Sequence, residues 1–239
     1  MLNHEKGAAP LYSQLETILK SQIEHGEYTK GDAFPTEKMI MEKYGVSRVT
    51  VRQAFAALTN NGYIKSSRGI GTIVTYEKID EHLKSVISFT DEMKQHNIKM
   101  ETTYCDMEMV YPETIVAKML QIPKTEKCYR LTRVRCVNKK PLVYTVTYLK
   151  NIVALPMENA YYMESLYKYL RDVHGIVIEK GRDTLEAALP TEEIQSFLEI
   201  EETMPVFKRV RQTFLKNDEI FEYSICYYPG NRYKYTVDL

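Results

Sequence analysis

The chain has 239 residues, room for two ordinary domains, and its 44% hydrophobic and 27% charged content excludes a disordered chain. Thirty-two Lys and Arg balance 32 Asp and Glu, no apolar run reaches the ~18 residues of a membrane span, and the first residues lack the apolar stretch of a signal peptide. Four scattered cysteines without a C-x-x-C spacing, and five scattered histidines, suggest neither a disulfide framework nor a metal site, so a cytoplasmic protein is expected, with no metal, no cofactor and no membrane partner.

Residues 1–75 hold nine Lys and Arg against seven Asp and Glu, leaving 23 against 25 for the rest. That asymmetry is weak, so a nucleic-acid partner requires the positive charge to be gathered on one face. The first predicted helix begins at Pro10 and runs to about Glu24. Leu11, Leu15, Ile18, Leu19 and Ile23 form its apolar side, and Gly26 stops it. Pro35 and Thr36 start a second helix, with Thr36 as N-cap and Glu37 at the positive end of the dipole. It ends at Gly45, a residue suited to the left-handed conformation. Ser47 then caps a third helix whose Val51, Ala54, Phe55 and Leu58 fall at i, i+3, i+4 and i+7. Arg48 and Arg52, four apart, share another face near its start. Two helices joined by a tight Gly-containing turn are a helix-turn-helix. Two guanidiniums at the leading end suit a major groove, because Arg can bond guanine O6 and N7 together. An ordinary amphipathic helix with two solvated arginines is the alternative. Strands are expected at 63–66 and 72–75, with Ser67, Arg68, Gly69, Ile70 and Gly71 as the hairpin tip. This is a wing or a plain surface hairpin. As a wing, Arg68 reaches a phosphate or the minor groove, and Gly69 lets the backbone come close.

Five motifs now stand in order: Pro10-Leu-Tyr-x-Gln14, Pro35-Thr-Glu37, Gly45-Val-Ser-Arg-x-Thr-Val-Arg52, Gly62-Tyr-Ile64 and Gly69-Ile-Gly-Thr-Ile-Val74. Together they resemble the GntR family of bacterial transcription regulators. The resemblance implies a winged helix-turn-helix over residues 1–75. By it Lys38, Ser47, Arg48, Thr50 and Arg52 contact double-stranded operator DNA, with Gly69 at the wing. Phe34, Thr36 and Lys38 replace a common Leu, Ser and Arg. Lys38 is a point charge, which favours a phosphate over a base.

Residues 76–87 carry charges and no Gly or Pro, and read as a linker with some helical character. Ser88 or Thr90 can cap a helix that has Asp91 and Glu92 in its first turn. Strands are expected at 102–110, 128–137, 142–149, 176–188, 206–215 and 220–228. Helices are expected at 112–120, 163–173 and 191–198. Residues 88–239 are thus an α+β domain with a mostly antiparallel sheet.

Three features of this domain point to a small ligand. Arg133 and Arg135 stand at i and i+2 of a strand and project to one face. They repel unless an anion or carboxylates lie between them, and phosphate fits because each Arg can bind it bidentately. A solvated face with Glu or Asp partners is the alternative. Ser165 and Tyr167 lie in the first turns of a helix, where hydroxyls and free amides hold anions; equally they are a cap and a core aromatic. Alternation places Glu222, Ser224 and Cys226 on one face, where Glu222 accepts from ligand hydroxyls or neutralises Arg133 or Arg135.

These stretches, with Ser88-Phe-Thr-Asp-Glu-Met93, Pro141-Leu-x-Tyr144, Tyr148-Leu149 and Arg232-Tyr233, resemble the UTRA effector domain of the HutC subfamily. The resemblance implies a chorismate-lyase-like fold that binds a small metabolite, often a phosphosugar, and makes the protein a homodimer. It assigns Arg133, Arg135, Ser165 and Tyr167 to the phosphate or anion, and Phe89, Thr90, Glu222 and Tyr228 to the rest of the pocket. Thr145 stands where many members carry Glu, which makes an amino-sugar or histidine-derived effector less secure. The function expected is a metabolite-responsive repressor of a sugar uptake or catabolic operon, and not an enzyme. A lyase-like enzyme acting on a small anion and a constitutive DNA-binding dimer are the alternatives.

Overall fold

The computed structural model describes residues 2–5, 7–67, 69, 71–82, 89–90, 93 and 98–236. It divides into a first unit, Met1–Lys78, and a second, Ile79–Leu239.

The first unit holds α1 (Leu11–Glu24), α2 (Glu37–Tyr44), α3 (Arg48–Asn60) and an antiparallel hairpin of β1 (Ile64–Ser67) and β2 (Gly71–Val74). Local chemistry sets the helix ends. Thr36 Oγ1 accepts from Met39 N at 3.3 Å to cap α2, and Ser47 Oγ accepts from Thr50 N at 3.2 Å to cap α3. Between them Gly45 takes φ +66°, a value that costs a Cβ-bearing residue energy. The turn therefore stays short, and α3 starts one residue after its cap. Val51, Ala54, Phe55 and Leu58 are the buried residues of α3. They join Leu15, Leu19 and Ile23 of α1, Ile40 of α2 and Ile64 and Val74 of the hairpin in one apolar core. Burying each larger side chain stabilises the unit by roughly 1.5–3 kcal/mol. Ala33 bridges to Ile73 and adds a third backbone segment beside the hairpin.

The second unit is built on a six-stranded antiparallel sheet of order β4-β5-β6-β9-β8-β7. Its strands are β4 (Met100–Val110), β5 (Cys128–Val137), β6 (Lys140–Leu149), β7 (Lys180–Ala188), β8 (Val206–Phe214) and β9 (Ile220–Pro229). The helices are α4 (Thr114–Leu120), α5 (Leu166–His174) and α6 (Glu192–Leu198). Asn138 and Lys139 have φ of +51° and +63° and make the tight turn from β5 to β6, the mirror-image turn that suits the twist of a hairpin.

Alternation gives the sheet two different faces. Val134, Cys136, Tyr144 and Val206 pack against Ile194 and Leu198 of α6, and Cys128, Ile220 and Tyr223 pack against Val116 and Leu120 of α4. On the opposite face Tyr129, Leu131 and Leu149 pack against Leu166 and Leu170 of α5. Further along that face Val143 and Tyr228 pack against Phe89, Met93 and Tyr233. The apolar clusters thus occupy both ends of this face, and the rows between them are polar.

Two expectations change. Residues 79–82 lie in the expected linker, yet they form β3 (Ile79–His82), which pairs in parallel with β10 (Tyr233–Thr236). Two four-residue segments this far apart in sequence carry no local signal of their pairing. The strand expected at 176–188 begins only at Lys180. Gly175 caps α5 at φ +67°, Ile176 N donates back to Leu170 O, and Ile176 is buried. Those residues finish the helix and do not extend the strand.

Candidate DNA-reading surface and ligand pocket

The capped start of α3 sets the geometry of the first site. Arg48 is the first residue of the helix and Arg52 the fifth, and both are exposed. Arg52 Nε lies 4.0 Å from Glu37 Oε1, with side chains 71% and 44% exposed. A pair that open to water is worth at most about 1 kcal/mol, so Arg52 can exchange Glu37 for a base or phosphate at small cost. Ser47 and Thr50 join hydroxyls at 2.9 Å; one stabilises the helix start while both remain at its exposed end. Lys38, 82% exposed, stands on α2 with Glu42 at 3.8 Å. Gly69 is exposed at the tip of the hairpin with φ +84°, whereas Arg68 falls outside the described residues. Val49, unremarked in the sequence reading, is 66% exposed beside Arg48. An apolar side chain among donors is what a thymine methyl requires.

The second site lies on the polar rows of the sheet. Cross-strand register places Arg133 of β5 opposite Thr145 of β6, Thr145 opposite Cys226 of β9, and Cys226 opposite Arg209 of β8. In the next row Thr147 faces Ser224, and Ser224 faces Arg211. Together with Phe89, Thr90, Arg135, Leu166, Tyr167, Glu222 and Tyr228 they line a cavity of about 50 Å³. Of the residues that the sequence suggested, Ser165 alone is not in this lining. It is buried, and its Oγ accepts from Lys168 N at 3.3 Å as the cap of α5. That cap still serves the site, because it fixes the helix start from which Leu166 and Tyr167 reach the cavity.

Arg209 and Arg211 were missed. They repeat the i, i+2 spacing of Arg133 and Arg135 on another expected strand, and that spacing could have found them. All four arginines are at least nine-tenths buried. Arg211 is held by Asp183 through two bonds of 2.7 Å, from Nε and Nη2, the bidentate geometry that planar groups favour. Arg209 bonds the Tyr235 hydroxyl and lies over the Tyr228 ring at 5.4 Å. Arg133 Nη1 donates to the carbonyls of Tyr162 and Glu164 at 3.1 and 3.2 Å, which ties β5 to the segment leading into α5. Its Nε is buried and finds no acceptor among the described residues. Arg135 rests 5.8 Å from the Phe89 ring and makes no ion pair with a described residue. Burial first, then the neighbouring Arg133 charge, push the Arg135 pKa down to about 9; burial lowers that of Arg133 as well.

Glu222 does not neutralise this pair directly. Its Oε2 accepts from Tyr167 at 2.6 Å and from Thr213 at 3.2 Å. Burial and then the Glu222 charge hold the Tyr167 hydroxyl protonated, with its pKa raised well above normal. The pocket therefore has a strongly positive side at Arg133 and Arg135, beside the N-terminus of α5, and a carboxylate able to take hydroxyl donors. Two buried guanidiniums with unspent donors attract an anion with several oxygens.

Residues 11–74 match the gntR family of bacterial regulatory proteins and residues 95–234 match the UTRA domain. This chain belongs to that family, in its UTRA-bearing, HutC-type architecture. It is 30% identical, over 97% of its length and 96% of the relative's, to the mannosyl-D-glycerate transport/metabolism system repressor MngR of Escherichia coli K12. It is 28% identical to the HTH-type transcriptional repressor NagR of Bacillus subtilis 168, over 98% of this chain and 96% of that one. PhnF from Mycobacterium smegmatis shares the fold with a TM-score of 0.64 and 24% identity, covering 96% of this chain and 99% of that one. The two units are accordingly a winged helix and an effector-binding domain of a transcription regulator. No helix among the described residues is long and apolar enough to cross a membrane.

Proposed function

We propose that this regulator is a homodimeric repressor of a sugar uptake or catabolic operon, released from its operator by a small anionic sugar derivative such as a phosphosugar. One observation carries the ligand class: Arg133 and Arg135 are buried side by side with no carboxylate of a described residue between them, while Glu222 and Tyr167 offer partners for hydroxyls in the same pocket. A phosphate on the arginines and a polyol towards Glu222 satisfy both. The name of MngR, a repressor of a sugar-derivative system, supports the operon class. In a dimer, two copies of α3 enter successive major grooves of a pseudo-palindrome, with Lys38, Ser47, Arg48, Thr50 and Arg52 as contacts and the wing, Arg68 and Gly69, on the flanking backbone. Ligand releases DNA only if it binds the released geometry more tightly than the DNA-bound one. A thermal-shift panel tests the ligand class. A phosphosugar should raise the melting temperature by mass action, and its unphosphorylated parent should do so far less. Equal shifts from both sugars overturn the phosphate assignment, and no shift from any anion favours a constitutive DNA-binding dimer.

A further inference from the structure

Glu222 is loaded unevenly. Thr213, its cross-strand partner on β8, and Tyr167 of α5 both donate to Oε2, at 3.2 and 2.6 Å. Oε1 accepts from no described residue, and the side chain lines the cavity while only 4% exposed. One carboxylate oxygen is thus held by the protein, and the other is left for a donor in the pocket. A buried acceptor of that kind costs free energy unless a donor reaches it.

The hold on Oε2 is built in depth. A phenol has one hydrogen to donate, and that of Tyr167 goes to Glu222. The same hydrogen cannot serve a phosphate. Moving it to an anion would leave Oε2 on Thr213 alone, and an under-bonded buried carboxylate is costly. Behind Tyr167 stands Arg211, whose charge acts on the Tyr167 hydroxyl. Arg211 gives Nε and Nη2 to the two oxygens of Asp183, each at 2.7 Å, with side chains only 9% and 12% exposed. A two-point clamp of this kind fixes the guanidinium plane. Asp183 stands on β7, outside the cavity lining. We propose that Asp183, Arg211 and Tyr167 are positioning residues that aim Glu222 Oε1 at a hydroxyl of the ligand, so that Tyr167 serves the hydroxyl end of the pocket and not the anion. The anion is then left to Arg133 and Arg135, and the sugar is selected by whether one of its hydroxyls meets Oε1. This rests on the phosphosugar reading above and divides its pocket into two separable ends.

Calorimetry on the full chain separates the ends with two probes. Inorganic phosphate reports the arginines alone. The tightest binder among glucose, mannose, galactose and fructose 6-phosphates reports both ends. Tyr167→Phe should bind inorganic phosphate within about twofold of wild type, yet lose about tenfold or more of the sugar phosphate's advantage over it, since the oxygen that aims Glu222 is gone. Asp183→Asn, remote from both probes, should lose about threefold or more of the same advantage, again with inorganic phosphate unmoved. Unmoved phosphate binding also shows that the pocket survives each change. Weaker inorganic phosphate binding in Tyr167→Phe, with the sugar's advantage kept, makes Tyr167 an anion ligand and overturns the proposal. An Asp183→Asn protein with the full advantage overturns the relay behind Tyr167. A wild type that binds inorganic phosphate as tightly as every sugar phosphate keeps the anion and overturns Glu222 as a reader of hydroxyls. A wild type that binds neither probe overturns the phosphosugar reading itself.

Discussion

Single side chains divide the work between the two units. Arg48 and Arg52 are exposed at a helix start, where a guanidinium keeps its donors open to water or to the proposed DNA; Arg133 and Arg135 are buried, where the same group costs free energy unless an anion meets it. Opposite outcomes follow for substitution. Arg48→Ala and Arg52→Ala should leave the melting temperature of the free protein unchanged and weaken operator binding by roughly 1–3 kcal/mol each, with relaxed base preference. Fluorescence anisotropy against operator variants measures this, and wild-type affinity in both would remove α3 from the groove. Arg135→Met should melt at or above wild type, because removing a buried charge that has no counter-charge among the described residues relieves its desolvation, while abolishing any phosphosugar-induced shift. A variant that melts far lower yet still responds to phosphosugar would contradict that assignment. Thr145 offers the converse change. It stands opposite both Arg133 and Cys226, so Thr145→Glu brings a carboxylate to the arginines. It should stabilise the free protein and lower its phosphosugar affinity, read by calorimetry.

At the scale of elements, the legible parts were those governed by neighbours in sequence. The caps Thr36 and Ser47, the turn glycine Gly45 and the apolar stripe of α3 fix the helix-turn-helix within some 25 residues, so it could be read off directly. Alternation likewise marked the polar face at Arg133 and Arg135. What could not be read depended on pairing between remote segments. β3 meets β10 across most of the second unit, and Arg209 joins Arg133 only because β6 and β9 lie between their strands. The cap of α3 has its own test. Ser47→Ala should destabilise the first unit by about 1 kcal/mol and Ser47→Gly by a few tenths, the ranking expected of an N-cap. Urea melts that rank them in reverse would show that Ser47 acts otherwise.

For the whole molecule, the arrangement is a DNA-binding unit and an effector-binding unit carried on one chain. Family membership establishes the two roles; the chemistry of the pocket supports an anion as the effector proposed for the second. The winged-helix unit should bind with a steep salt dependence, because the contacts proposed for it are cations on phosphates and base edges. The effector unit should respond to the charge on its ligand. The most direct measurement is operator occupancy, followed by anisotropy at fixed salt, while a phosphosugar is titrated against wild type and Arg133→Met in parallel. Wild type should leave the operator as the phosphosugar rises, and Arg133→Met should stay bound over the same range. Release of the variant at wild-type concentrations would show that the buried arginines are not what senses the anion.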